Sequence, residues 1–125
     1  MTQRSALIIE DDPKLCVIFK TALQQAGFET ELDSTGDHFS SKLSTTAPDL
    51  VILDIHLPYA SGKDILEEIR SSELWSNTVV IVTTADILLS KSLEKQADYV
   101  LIKPVSVGRL MKIVAMRWPD DVNPL

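Results

Sequence analysis

Four stretches of the 125-residue chain place polar, potentially reactive side chains at the end of runs rich in Val, Ile and Leu. Glu10, Asp11 and Asp12 follow "ALII". Asp54 closes "DLVILD", Thr83 and Thr84 close "TVVIVTT", and Lys103 and Pro104 follow "DYVLI". An ionised carboxylate loses its hydration inside an apolar strand, so Asp54 either escapes to water at the strand end or answers a need of the fold there. If the first and third apolar runs are neighbours, Glu10, Asp11 and Asp54 share one pocket. Three carboxylates so close repel one another and persist together when some are protonated or when a cation lies among them. A hard divalent ion with oxygen ligands, Mg2+ before others, suits one or two carboxylates, a backbone carbonyl and several waters. With the Lys103 ammonium and the Thr84 hydroxyl added, the set makes a site for a transferred phosphoryl group. Asp54 is then the nucleophile, and Lys103 and Thr84 hold what remains. A lone acid at a strand end is ordinarily a turn residue or a helix cap, and Asp12, directly before Pro13, reads as a cap. Convergence favours the chemistry: acids on two strands, a hydroxyl on a third and an amine on a fourth, all at one edge.

Strands and helices must alternate to bring these residues together. Five apolar runs, 6–10, 28–32, 49–54, 78–83 and 98–103, read as strands. Four of them lack strict alternation, as strands buried on both faces do. "FETEL" alternates and fits an edge strand with one wet face. Leu15, Ile18, Phe19, Ala22, Leu23 and Ala26 follow helical spacing, opened by Asp12–Pro13 and stopped by Gly27. Ile65, Leu66 and Ile69 mark another helix, and Val107, Leu110, Met111 and Val114 a last one. The helical pattern is weaker over 37–46 and 87–96. This alternation predicts an α/β fold with a parallel sheet and right-handed crossovers. In such sheets ligands sit outside the carboxyl ends of the strands, where the polar residues above fall.

The length suits one domain, expected over 1–118, with 119–125 as a tail or the start of a linker. Acidic residues outnumber Lys and Arg 18 to 12, for a formal charge of −6, which argues against non-specific nucleic-acid binding. The single cysteine, Cys16, excludes an internal disulfide framework and fits a reducing cytoplasm. It reads as an inert small side chain. No apolar stretch reaches membrane-spanning length, and "MTQRSALIIEDD" meets acids too early for a signal peptide.

The ordered set of motifs resembles the receiver domain of two-component response regulators, of the chemotaxis-regulator-like kind. "LIIEDD" is similar to the family's acidic pair and "VILDIHLPYASG" to its phosphoacceptor stretch, with Pro58 and Gly62 at the family's offsets from the aspartate. "VTTAD" resembles the Thr-Ala step after the fourth strand and "YVLIKP" the Lys-Pro after the fifth. The resemblance runs from about residue 5 to about residue 116. It implies a flavodoxin-like, doubly wound (βα)5 fold with a five-stranded parallel sheet in the order 2-1-3-4-5. It implies Asp54 as the phosphorylated residue, and Glu10 and Asp11 as the acidic pair for Mg2+, Asp11 the more direct ligand. His56 would lend its backbone carbonyl to the metal, its ring lying at the pocket rim. Thr84, preferred to Thr83 because Ala85 follows it, would be the switch hydroxyl, and Lys103 the phosphate-pairing amine.

The function so implied is a cytoplasmic phospho-switch. It takes a phosphoryl group from a histidine kinase or phosphotransfer protein and alters contacts with a downstream protein or a fused output domain. It is no enzyme beyond self-catalysed phosphorylation and dephosphorylation, and makes no direct contact with nucleic acid or membrane. A receiver-like module that binds partners without phosphorylation is the alternative. An aspartate-dependent phosphatase would want a second acid where His56 stands, and a flavin module would want a hydroxyl- and glycine-rich loop where "EDDPK" stands. The chain also departs from the family. Val100 occupies the usual aromatic position three before the lysine, with Tyr99 one residue off and so on the other strand face. The connection from Thr84 to Lys103 is about three residues short, which predicts a shortened helix. Within it "ILLSKSL" is more apolar than a solvated helix needs; its leucines either pack on the sheet or face a partner, including a second copy through the 87–116 face.

Overall fold

The computed structural model describes residues 3–37, 39 and 46–119. The helix expected over 37–46 and the tail expected over 119–125 fall almost wholly outside these residues. The described elements are β1 (Arg4–Ile9), α1 (Pro13–Gln25), β2 (Phe28–Asp33), β3 (Leu50–Asp54), α2 (Gly62–Ser71), β4 (Val79–Thr84), α3 (Ile87–Leu93), β5 (Tyr99–Ile102) and α4 (Val107–Arg117). The five strands form one parallel sheet in the order β2-β1-β3-β4-β5, as the resemblance implied.

The near-continuous apolar runs follow from burial on both faces of the sheet. Ala6 and Ile8 of β1, Leu50 and Ile52 of β3, and Ile81 of β4 pack with Phe19 and Leu23 of α1 and Leu110 and Val114 of α4. The alternate residues, Leu7 and Ile9, Val51 and Leu53, Val80 and Val82, pack with Leu66 and Ile69 of α2, with Trp75 in the connection after α2, and with Leu93 of α3. Each inner strand thus feeds two cores, and a one-residue slip would exchange both sets. β2, at the edge, buries Phe28 and exposes Glu29 and Glu31 as its alternation predicts, but the pattern breaks at the strand end, where Leu32 is exposed and Asp33 is buried. Tyr99 packs with the first core and Val100 with the second, so the tyrosine faces away from the usual aromatic position.

A polar side chain caps the start of each described helix. Asp12 accepts from the Lys14 amide, Ser61 from Asp64, Asp86 from Leu89 and Ser106 from Arg109, at 2.9–3.3 Å. Each cap satisfies one otherwise orphaned amide, worth about 1 kcal/mol. Gly27, at φ 93°, lets the chain turn from α1 into β2. α3 has only seven residues, as the short connection predicted. Its leucines divide: Leu89 and Leu93 pack on the second core, while Leu88, beside Ile87, is 84% exposed. The Arg70 guanidinium holds the end of this abbreviated segment, donating to the Gln96 and Thr78 carbonyls and pairing with Asp98 at 2.8 Å.

Candidate functional site

The sheet register lines up the polar residues. Ile9 pairs with Leu53, Asp54 with Thr83, and Thr84 with Ile102, so Glu10, Asp54, Thr84 and Lys103 all emerge at the carboxyl edge within two residues of one another. The backbone continues past the strands: Glu10 N–H donates to Asp33 O, Ile55 N–H to Thr83 O, and Lys103 N–H to Thr84 O at 2.8 Å. The Lys103–Pro104 peptide is cis.

Oxygen atoms of Glu10, Asp11 and Asp54 lie within 4.8 Å of one another. Glu10 and Asp54 are 1% and 2% exposed, whereas Asp11 is open to solvent. The Lys103 amine donates to Asp54 Oδ2 at 3.2 Å and stands 3.2 Å from Glu10 Oε1, there out of hydrogen-bond alignment. Glu10 Oε1 is therefore a buried oxygen with no hydrogen bond. Its other oxygen accepts from the Asp12 amide at 3.2 Å. Asp12 is a cap outside the acidic group, as its place before Pro13 indicated.

Burial pushes the Glu10 carboxyl up to about 7, and the neighbouring Asp54 charge adds to the rise against the pull of the Asp12 amide and Lys103. Burial also acts to raise Asp54, but the His56 amide, the Glu10 carboxyl and the Lys103 amine outweigh it, and Asp54 lies below its ordinary value. Burial acts to lower Lys103, and the Glu10 and Asp54 charges more than reverse this. The facing pair is thus pushed apart, Glu10 towards holding a proton and Asp54 towards the ionised form. The donor set fits a hard divalent ion: three carboxylates, each with an oxygen in reach of the others, beside open solvent for water ligands.

Thr83 and Thr84 are both buried but differently engaged. Thr83 Oγ1 has no partner. Thr84 Oγ1 accepts from the Asp86 amide at 3.0 Å and lies 3.0 Å from His56 Nε2. His56 is exposed at the rim, as expected of its ring, and its backbone N–H donates to Asp54 Oδ1 at 2.9 Å. The bond from the His56 ring to Thr84 was not foreseen, since no local spacing signals a contact across 28 residues. For two further supports the physical reason is visible only in the fold. Cys16, buried in α1, donates its thiol to the Glu10 carbonyl at 3.1 Å. Gly62 lies so close to the end of β3 that a Cβ there would stand 2.5 Å from Ile55 Cα and 2.8 Å from the Asp54 carbonyl oxygen.

Residues 6–115 match the response regulator receiver domain, and the chain belongs to that family. Among curated relatives, it is 31% identical over 107 residues to the transcriptional regulatory protein TrcR of Mycobacterium tuberculosis, covering 84% of this chain and 41% of TrcR. It is 32% identical over 122 residues to the sensory transduction protein RegX3 of Mycobacterium bovis, covering 94% of this chain and 53% of RegX3. The chain thus spans about half the length of these relatives. A CheY-like receiver domain from Methanospirillum hungatei superposes with a TM-score of 0.81 at 25% identity, over 96% of this chain and 97% of that one. The receiver domain of the Pseudomonas aeruginosa sensor histidine kinase PA1611 superposes with a TM-score of 0.80 at 24% identity, over 94% of this chain and 98% of that one; its structure has a magnesium ion coordinated in the active-site cleft. Among the described residues, no helix is long and apolar enough to cross a membrane.

Proposed function

We propose that Asp54 is a phosphoacceptor, taking a phosphoryl group from a phosphohistidine on a histidine kinase or phosphotransfer protein. The observation that carries this reading is the almost fully buried Asp54 held between the Lys103 amine and the carboxyls of Glu10 and Asp11 at the strand edge. An Asp54 carboxylate oxygen attacks phosphorus, forming the P–O bond as the P–N bond to the donor histidine breaks and its electron pair returns to the ring. Asp11 and Asp54, with Glu10 and the His56 carbonyl, are the groups to hold Mg2+. When bound, that ion supplies positive charge to the phosphoryl oxygens. Lys103 then pairs with the aspartyl phosphate, and Thr84 donates its hydroxyl to it, drawing on the loop before α3.

The consequence is a shift between pre-existing arrangements of the face made by α3, β5 and α4. That face would meet a downstream protein, a fused output domain or a second copy across 87–116, in a cytoplasmic setting. Residues 1–118 would form the receiver unit and 119–125 a tail or linker. Incubation with acetyl phosphate and Mg2+ tests the reading. Wild type should take up one base- and hydroxylamine-labile phosphoryl group, and Asp54→Asn none. Label persisting in Asp54→Asn would move the acceptor elsewhere. A wild type that takes up none would favour a module that binds partners without phosphorylation.

A further inference from the structure

His56 makes two bonds at the rim that join two otherwise separate parts of the site. Its backbone N–H holds Asp54 Oδ1 at 2.9 Å, and its ring Nε2 lies 3.0 Å from Thr84 Oγ1. The Thr84 hydroxyl has two partners, the His56 ring and the Asp86 amide, and neither is Asp54 or Lys103. A hydroxyl carries one proton and two lone pairs. The Asp86 amide occupies one lone pair, and the His56 contact takes either the proton or the other lone pair, fixing the direction in which the hydroxyl points. Lys103 is meanwhile committed to Asp54 and Glu10. In the tautomer whose Nε2 accepts, the imidazole holds the Thr84 proton, and engaging a phosphoryl group on Asp54 requires the hydroxyl to leave or reorient against it.

We propose that the His56 side chain is a positioning residue that holds the Thr84 hydroxyl in the unphosphorylated arrangement, so that a phosphoryl group on Asp54 must compete with the imidazole for it. The inference rests on the reading of Asp54 as phosphoacceptor. The ring is exposed while Thr84 is fully buried, so the latch reaches from the solvent-facing rim into the site. Because the bond to Asp54 comes from the backbone, His56→Ala removes the latch and leaves Asp54 held.

The test is a double-mutant cycle on binding of beryllofluoride, a tetrahedral phosphoryl mimic, in the presence of Mg2+. Removing one competing hydrogen bond should tighten apparent beryllofluoride binding about fivefold in His56→Ala. In a Thr84→Val background, which keeps the shape and lacks the hydroxyl, the same His56 change should have no effect. In a Thr84→Ser background, which restores a hydroxyl, the effect should return. Unfolding midpoints identify any variant that fails to fold. Independently, Thr84→Val should move the His56 ring nitrogen resonances of the unliganded protein. Unchanged affinity in His56→Ala, weaker binding, or an equal change in the Thr84→Val background overturns the proposal. Wild type that binds no beryllofluoride refutes the phosphoacceptor reading, and the latch falls with it.

Discussion

Replacing Gly62 by alanine sets helix propensity against packing. Gly62 opens α2, directly after its Ser61 cap. Glycine costs up to about 1 kcal/mol relative to alanine inside a helix, so propensity alone favours the substitution. The structure opposes it. The added methyl would lie 2.5 Å from Ile55 Cα, 2.6 Å from the Ile55 carbonyl oxygen and 2.8 Å from that of Asp54. All three are backbone atoms, so no side chain can rotate away. Ordinary contact distances of about 3.5–4 Å require a shift of roughly 1 Å. The strand end resists that shift, since Ile55 N–H is bonded to Thr83 O and His56 N–H to Asp54 Oδ1. Overpacking of this kind costs about 1–3 kcal/mol, which exceeds the propensity gain. Gly62→Ala should therefore lower stability by about 1–2 kcal/mol, or about 3–8 °C in melting temperature. It should also displace Asp54 and slow its labelling by acetyl phosphate. Gly108 is the control. It too lies in the first turn of a helix, and its nearest neighbour to a new methyl is Ser106 Oγ at 3.6 Å. Gly108→Ala should be neutral or slightly stabilising. Urea unfolding of the two variants side by side decides the matter, and a Gly62→Ala protein as stable as wild type would refute the steric argument.

Three further outcomes follow from the site and its supports. Lys103→Ala should fold at pH 6, within about 1 kcal/mol of wild type, yet label Asp54 about a hundredfold more slowly, because a preorganised charge is lost while Glu10 can stay protonated; gross unfolding at that pH would make the lysine structural instead. Glu10 is raised from 4.5 to about 7, so its contribution to stability is fully present below pH 4.5 and is lost as pH rises through 7. A divalent ion must displace that proton, so Mg2+ should bind about tenfold tighter at pH 8 than at pH 6, with proton release visible by calorimetry in two buffers. A flat profile would contradict the shared-proton picture, and Glu10→Gln should remove the slope. Asp33, buried at the end of β2, accepts from the amides of Gly36 at 2.8 Å, Phe39 at 2.9 Å and Thr35 at 3.3 Å. Asp33→Ala should cost about 2–4 kcal/mol in urea unfolding and Asp33→Asn less, since the amide keeps one acceptor; equal, small losses would mean that water replaces the carboxylate.

The sequence carried the architecture because its signals are local and repeated. Runs such as "LVIL" and "VVIV" can be apolar throughout only if both strand faces are covered, which demands helices on each side. The cap at Asp12 and the stop at Gly27 are likewise written in adjacent residues. The acids, Thr84 and Lys103 could be gathered because strand ends of a parallel sheet share one edge, although the neighbours of β1 came from the resemblance and not from periodicity. Contacts across the sheet were settled only by folding. Whether the Lys103 amine would lie between Glu10 and Asp54, which carboxyl keeps the proton, why Gly62 tolerates no side chain and how His56 meets Thr84 all depend on atoms brought within a few ångströms across as many as 93 residues of chain. Such distances follow from the twist and register of the assembled sheet, and the spacing of residues along a strand does not encode them.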